Sequence, residues 1–300
     1  MRFRSVVFRL LPVAAFCWLS GCEIINPTED TPSYIKINSI PLDPRKNATE
    51  DYGSASNNIV DAWVFANKKI IGCFELPATI PIVADGNVEI DVYAGIYGDG
   101  QKAARFPYAF YTQYDTTVLL EPGKVTAVAP KVKFESRTVV PFDVYEDFTA
   151  FPATPAIRVA ANSAYKLEAN QDSLADFKYA NATVGVVYGK SGETSDLVLE
   201  SLFNGRLPQA NAPVFLEFDY RTTRPFKVGV LATAVGGNPT PIMDLTLNPT
   251  RKWTKMYVNL TEEVNITGLQ SANFRMLWQV DMNGNPRDYF AIDNIRLIHF

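Results

Sequence analysis

Between Tyr34 and Phe300, short segments rich in Val, Ile, Tyr and Phe recur with turn signals between them, and no stretch sustains apolar residues at i, i+3 and i+4. Period-two alternation without a helical stripe leaves sheets as the way to bury these side chains. The chain is therefore expected to be all-β. Val88, Ile90 and Val92 alternate with Glu89, Asp91 and Tyr93, one set for a core and the other for the opposite face. Asn67-Lys68 between two such runs reads as a hairpin tip.

The predicted strands fall into two blocks. The first holds 34–40, 59–66, 69–75, 86–96, 116–120 and 124–133; the second holds 156–159, 163–168, 182–188, 197–202, 214–221, 227–233, 252–259, 273–282 and 289–300. The pattern changes near Ser136. Residues 34–135 are expected to form an immunoglobulin/transthyretin-like β-sandwich and residues 136–300 a jelly-roll β-sandwich. A long loop in the first block carries Phe106, Tyr108, Phe110, Tyr111 and Tyr114. It is expected either to cover the open end of a sandwich or to meet a protein partner.

Composition narrows the chemistry. With 28 basic against 32 acidic residues the chain is acidic, and a nucleic-acid partner is not expected. Cys73 is the one cysteine of the predicted folded part, so no intrachain disulfide is expected there; the single histidine, His299, lies in the predicted final strand. Zinc sites of the Cys/His type and Ser-His-Asp triads are accordingly not expected. A glycosidase would need two flanking carboxylates, one with a raised pKa. Glu217 and Asp219 share a strand face, yet read equally well as a solvated face.

At the N-terminus, Arg2, Arg4 and Arg9 precede an apolar run from Leu10 to Leu19 that is too short to span a bilayer. The following Leu19-Ser20-Gly21-Cys22 resembles the lipobox of bacterial lipoproteins. That resemblance implies a signal peptide over 1–21, a lipidated Cys22 as mature N-terminus, and a tether over 22–33; the alternative is an ordinary secretory signal with Cys22 unmodified. Removal of the signal leaves 25 basic against 32 acidic residues, about −7. Multiple acyl chains make such anchoring stable. Glu23 is not the aspartate of an enterobacterial retention signal, so the outer membrane is the expected address, with its face left open.

The run Asp288-Tyr289-Phe290-Ala291-Ile292-Asp293-Asn294-Ile295-Arg296-Leu297 resembles the closing strand of jelly-roll carbohydrate-binding modules, and Trp253-Thr254-Lys255-Met256-Tyr257-Val258-Asn259-Leu260 resembles their Trp-bearing strand with a Val-x-Leu step. The resemblance implies a structural calcium held by Glu146 or Asp147 together with Asp293; otherwise Asp293 caps a loop and Glu146 and Asp147 are solvated. No other cofactor is expected. Sugar recognition needs aromatics on a strand's non-core face. Alternation places Trp278 in the core and Trp253 and Tyr257 on the opposite face of their strand, as candidate glycan platforms. The tethered two-domain plan is similar to lipoproteins of Bacteroidetes-type bacteria. The expected function is a non-catalytic, membrane-anchored lipoprotein binding a glycan through its jelly roll; the rival is a structural or assembly lipoprotein binding envelope protein partners.

Overall fold

A computed structural model describes residues 29–47, 50–141, 145–153, 155–161, 163–171 and 183–300. The signal segment 1–21, Cys22 and most of the tether lie outside the described residues. The described chain is all-β, in two sandwiches.

The first sandwich contains β1 (Ser33–Ile37), β2 (Asp61–Ala66), β3 (Lys69–Glu75), β4 (Ala78–Ile82), β5 (Gly86–Tyr97), β6 (Arg105–Pro107), β7 (Tyr114–Leu120) and β8 (Val125–Ala127). One sheet has the order β4-β1-β8; the other runs β3-β2-β5-β6, with β7 also paired to β5. Ile35, Ile37, Val64, Ile80, Val88, Ile90 and Val92 fill the space between them. Asn67 and Lys68 have φ of 49° and 63°. Two successive positive values form the tight turn whose twist matches a hairpin, so β2 and β3 meet where the sequence places them.

The second sandwich contains β9 (Ile157–Val159), β10 (Glu168–Gln171), β11 (Thr183–Tyr188), β12 (Leu197–Ser201), β13 (Val214–Thr222), β14 (Phe226–Thr233), β15 (Thr240–Leu247), β16 (Thr250–Asn259), a short helix α1 (Thr261–Val264), β17 (Asn273–Val280) and β18 (Tyr289–His299). Its two five-stranded sheets have the orders β10-β11-β18-β13-β16 and β15-β14-β17-β12-β9, a jelly-roll sandwich. Leu216, Phe218, Val228, Val230, Phe274, Met276, Phe290, Ile292 and Leu297 form the core. Trp278 is buried among them, as its alternation predicts, with its ring edge-on to Phe218 at 5.9 Å.

Three strands absent from the sequence-based expectation, β4, β6 and β15, each contain a proline and each end a sheet. Proline cannot donate to a ladder, so an edge is where a strand tolerates Pro81, Pro107 or Pro241.

The sandwiches share a junction. Tyr108, Phe110 and Tyr111, from the aromatic loop, are buried against the outer face of the β10-β11-β18-β13-β16 sheet. Tyr108 meets Phe215 and Tyr257 at ring-centroid distances of 5.3 and 5.0 Å, and Phe110 meets Phe215 at 5.9 Å. Phe215, Tyr257 and Ile298 thus belong to the hydrophobic cluster of the first sandwich although their strands build the second. The loop does cover a face, and that face is the neighbouring sandwich.

Candidate functional site

The outer face of the β10-β11-β18-β13-β16 sheet carries the chemistry-bearing side chains, because strand alternation sends every second residue of β13, β16 and β18 away from the core. On β13 these are Phe215, Glu217, Asp219 and Arg221; on β16 they are Trp253, Lys255 and Tyr257. On β18 a bulge intervenes: Glu217 pairs with Arg296 and Asp219 with Asp293, so two steps on β13 match three on β18. Asn294, at φ 48°, takes up the extra residue. Ile292 and Ile295 therefore both enter the core, while Asp293 and Arg296 face outward.

The middle of this face is sealed. Glu217 and Arg296 are wholly buried and Lys255 is nearly so. Glu217 accepts from the Tyr108 hydroxyl at 2.7 Å on one oxygen, and its other oxygen lies 3.3 Å from Arg296 Nη1 and 3.5 Å from Lys255 Nζ. Arg296 also donates to the carbonyls of Tyr52 (2.8 Å) and Ser54, clamping the 52–58 loop of the first block onto the sheet. Asp219 accepts from Ser56 Oγ at 2.8 Å and from Asn294 Nδ2 at 2.9 Å. Burial pulls the Lys255 ammonium below the lysine value, against the attraction of Asp219 and Glu217. Glu217 and Asp219 are therefore neither a solvated pair nor an accessible acid and base. They hold two sandwiches together.

Tyr257 belongs to this sealed zone, which corrects its assignment as a platform. It is 1% exposed, accepts from Asn58 N at 2.9 Å and lies 3.3 Å from the Tyr111 hydroxyl. Burial raises its hydroxyl above the tyrosine value. Strand alternation puts Tyr257 on the outer face correctly; a partner sandwich then covers that part of the face.

Of the proposed calcium ligands, Glu146 and Asp147 are hydrogen-bonded within the chain, whereas Asp293 Oδ1 is buried with no hydrogen-bond partner among the described residues. Glu146 pairs through its backbone with Ile295, and its carboxylate accepts from Phe148 N at 2.8 Å and Ala156 N at 2.7 Å. Asp147 accepts from the Thr149 backbone, the Thr149 hydroxyl and the Tyr145 hydroxyl. Asp293 accepts from Asn294 Nδ2 at 3.1 Å, and burial, with Asp219 and Asp147 nearby, pushes its pKa up to about 9. Among the described residues no three His, Cys, Asp or Glu side chains meet as a metal-binding group.

Beyond the junction, an aromatic row crosses the end of the same face. Tyr188 on β11 pairs directly with Tyr289 on β18, and the Arg221 guanidinium lies 5.1 Å from the Tyr289 ring centroid and 5.6 Å from that of Trp253. Tyr188 is 52% exposed, while Tyr289, Arg221 and Trp253 are half-buried. Four adjacent strands contribute one side chain each, spanning about 14 Å. Of this row, alternation picks out Trp253 as a platform and places Arg221 on a polar strand face able to line a groove. Arg221, Tyr188 and Tyr289 become neighbours only through the strand order, which alternation within one strand does not report.

No family model matches the sequence, and no curated protein matches it significantly. Among solved structures the chain is similar to the family 11 carbohydrate-binding module of the cellulosomal cellulase Lic26A-Cel5E of Clostridium thermocellum, at 12% identity and a TM-score of 0.32 over 52% of this chain and 94% of that one. It is also similar to TmCBM61 in complex with β-1,4-galactotriose, at 13% identity and a TM-score of 0.31 over 48% of this chain and 88% of that one. A third similarity is to the arabinose-bound MgGH51 α-L-arabinofuranosidase, at 14% identity and a TM-score of 0.39 over 54% of this chain and only 26% of the enzyme. At these TM-scores the likeness assigns this chain neither a ligand nor an activity.

Proposed function

We propose that this protein is a non-catalytic cell-envelope lipoprotein, anchored through Cys22 in the outer membrane, whose second sandwich binds a glycan. The observation that carries the reading is the row of Tyr188, Tyr289, Arg221 and Trp253 across four adjacent strands. Aromatic side chains match the apolar faces of sugar rings, and a guanidinium between them supplies donors for hydroxyls. A row of this length suits an oligosaccharide rather than a single ring. The non-catalytic part is supported by Glu217 and Asp219, whose oxygens are committed inside a sealed junction.

A glycan array probed with the soluble form from Glu23 onward tests this. Trp253→Ala with Tyr289→Ala is expected to weaken binding at least about tenfold, the equivalent of 1.4 kcal/mol. Tyr257→Phe, inside the junction, is expected to leave affinity unchanged. Equal loss from both variants would place binding elsewhere.

A structural role is the second reading, and the burial of Tyr257 favours it: the first sandwich already occupies the middle of the face that a glycan platform would use. Absence of binding across the array, with partner capture by the intact protein, would support that reading.

A further inference from the structure

The outer face of the three-stranded sheet β4-β1-β8 is composed differently from the rest of the first sandwich. Register aligns Pro81, Tyr34 and Val125 in one row across its three strands, and Thr79, Lys36 and Ala127 in the next. Val83 follows the end of β4 with the parity of Pro81. Val83 and Val125 are 68% and 57% exposed, Pro81 and Lys36 are exposed, and Tyr34 is half-buried. This apolar row with a tyrosine and an adjacent lysine lies where the described chain begins: Asp30 and Thr31 line one pocket with Val83, Ala84, Asp85 and Pro122, and Pro32 accepts from Gly123 N at 2.9 Å.

We propose that this face rests on the lipid surface to which the N-terminus is anchored, with Val83, Pro81, Tyr34 and Val125 at the headgroup boundary and Lys36 directed to lipid phosphates. The inference depends on the lipidation of Cys22 proposed above. Ten residues separate Cys22 from Ser33, eleven Cα steps that extended reach about 40 Å at most, so β1 cannot leave the membrane's vicinity. Tyr is favoured at the headgroup level, where its ring is half apolar and its hydroxyl is wet, and Lys can extend its charge past an apolar stem. The row is too small to hold a free protein on a bilayer. On a short tether, however, the local concentration of the membrane is already millimolar, and a weak contact becomes populated. No helix of the described residues is long and apolar enough to cross a membrane.

The test uses the full mature lipidated protein in phosphatidylethanolamine–phosphatidylglycerol vesicles, in a Cys73→Ser background. An environment-sensitive dye is placed at Val125→Cys or, as reference, at Val235→Cys, which is 80% exposed on the second sandwich. Lipid-borne spin-label quenchers are expected to quench the Val125 site at least about threefold more than the Val235 site, as a tether-assisted contact requires. Adding Val83→Asp, at a position 68% exposed, is expected to return Val125 quenching toward the reference. Equal quenching at both sites in protein that floats with the vesicles would overturn the contact while leaving the anchor intact. Failure to float, with an unacylated N-terminal mass, would overturn the anchor and the contact together.

Discussion

Asp293 is a carboxyl group in a place that disfavours its charge. It is wholly buried, and its pKa stands at about 9, chiefly through desolvation and then through Asp219 and Asp147. The folded protein therefore keeps a proton that the unfolded chain releases near the ordinary aspartate value. Between those two values the native state binds more protons, so this group's contribution favours folding at low pH and is lost as pH rises. Asp293→Asn is expected to remove that dependence: the stability gained over wild type grows between pH 5 and pH 8, by up to about 1.4 kcal/mol per pH unit, in urea unfolding. A difference that is flat with pH would show that Asp293 is ionised in the fold. At this scale the sequence speaks clearly about faces and poorly about cover. Alternation assigns Trp278 inward and Tyr257 outward, both correctly, yet one outward residue is sealed and Trp253, four residues earlier on the same strand, is only half-buried.

Individual elements were legible where they obey their own periodicity. The strands of the core sheets appear in the alternation, and the β2–β3 turn in Asn67-Lys68. What escapes are the devices that break period two. The three proline-bearing edge strands fail a propensity reading because proline is tolerated only where one side of a strand is unpaired. The bulge in β18 is hidden because strict alternation puts Asp293 and Arg296 on opposite faces, and the extra residue at Asn294 brings them to the same one. Asn294 sits at φ 48°, a conformation that costs a branched side chain roughly 1–2 kcal/mol. Asn294→Gly keeps the backbone accessible and loses only the amide bonds to Asp219 and Asp293. Asn294→Val loses both, so it is expected to be the less stable variant by about that backbone cost, measured by chemical denaturation. Equal destabilisation would mean the bulge relaxes without the left-handed residue.

At the scale of the whole molecule, two sandwiches predicted as separate blocks share side chains. Phe215, Tyr257 and Ile298 are built by one and buried with the other, and full burial of each stabilises by about 1.5–3 kcal/mol. Beside them Arg296, Glu217 and Lys255 pair with one another within the second sandwich, and the junction buries them while adding the Tyr108 hydroxyl and the Tyr52 and Ser54 carbonyls as partners. Calorimetry is therefore expected to show one cooperative transition for the intact protein, and residues 136–300 expressed alone are expected to melt at lower temperature or aggregate. Two well-separated transitions would contradict a shared junction. Nothing in either block's pattern announces this coupling, since contacts between sandwiches depend on surfaces that each block presents only after folding. The strand order also has a consequence in time. β18 lies between β11 and β13 in its sheet, yet it is the latest of the sheet's strands along the chain. Until it is made, β11 and β13 have no neighbour to join them, and the floor of the junction is missing. A chain emerging from its N-terminus must carry half-built sheets, with their edges open, until this one strand arrives to close both.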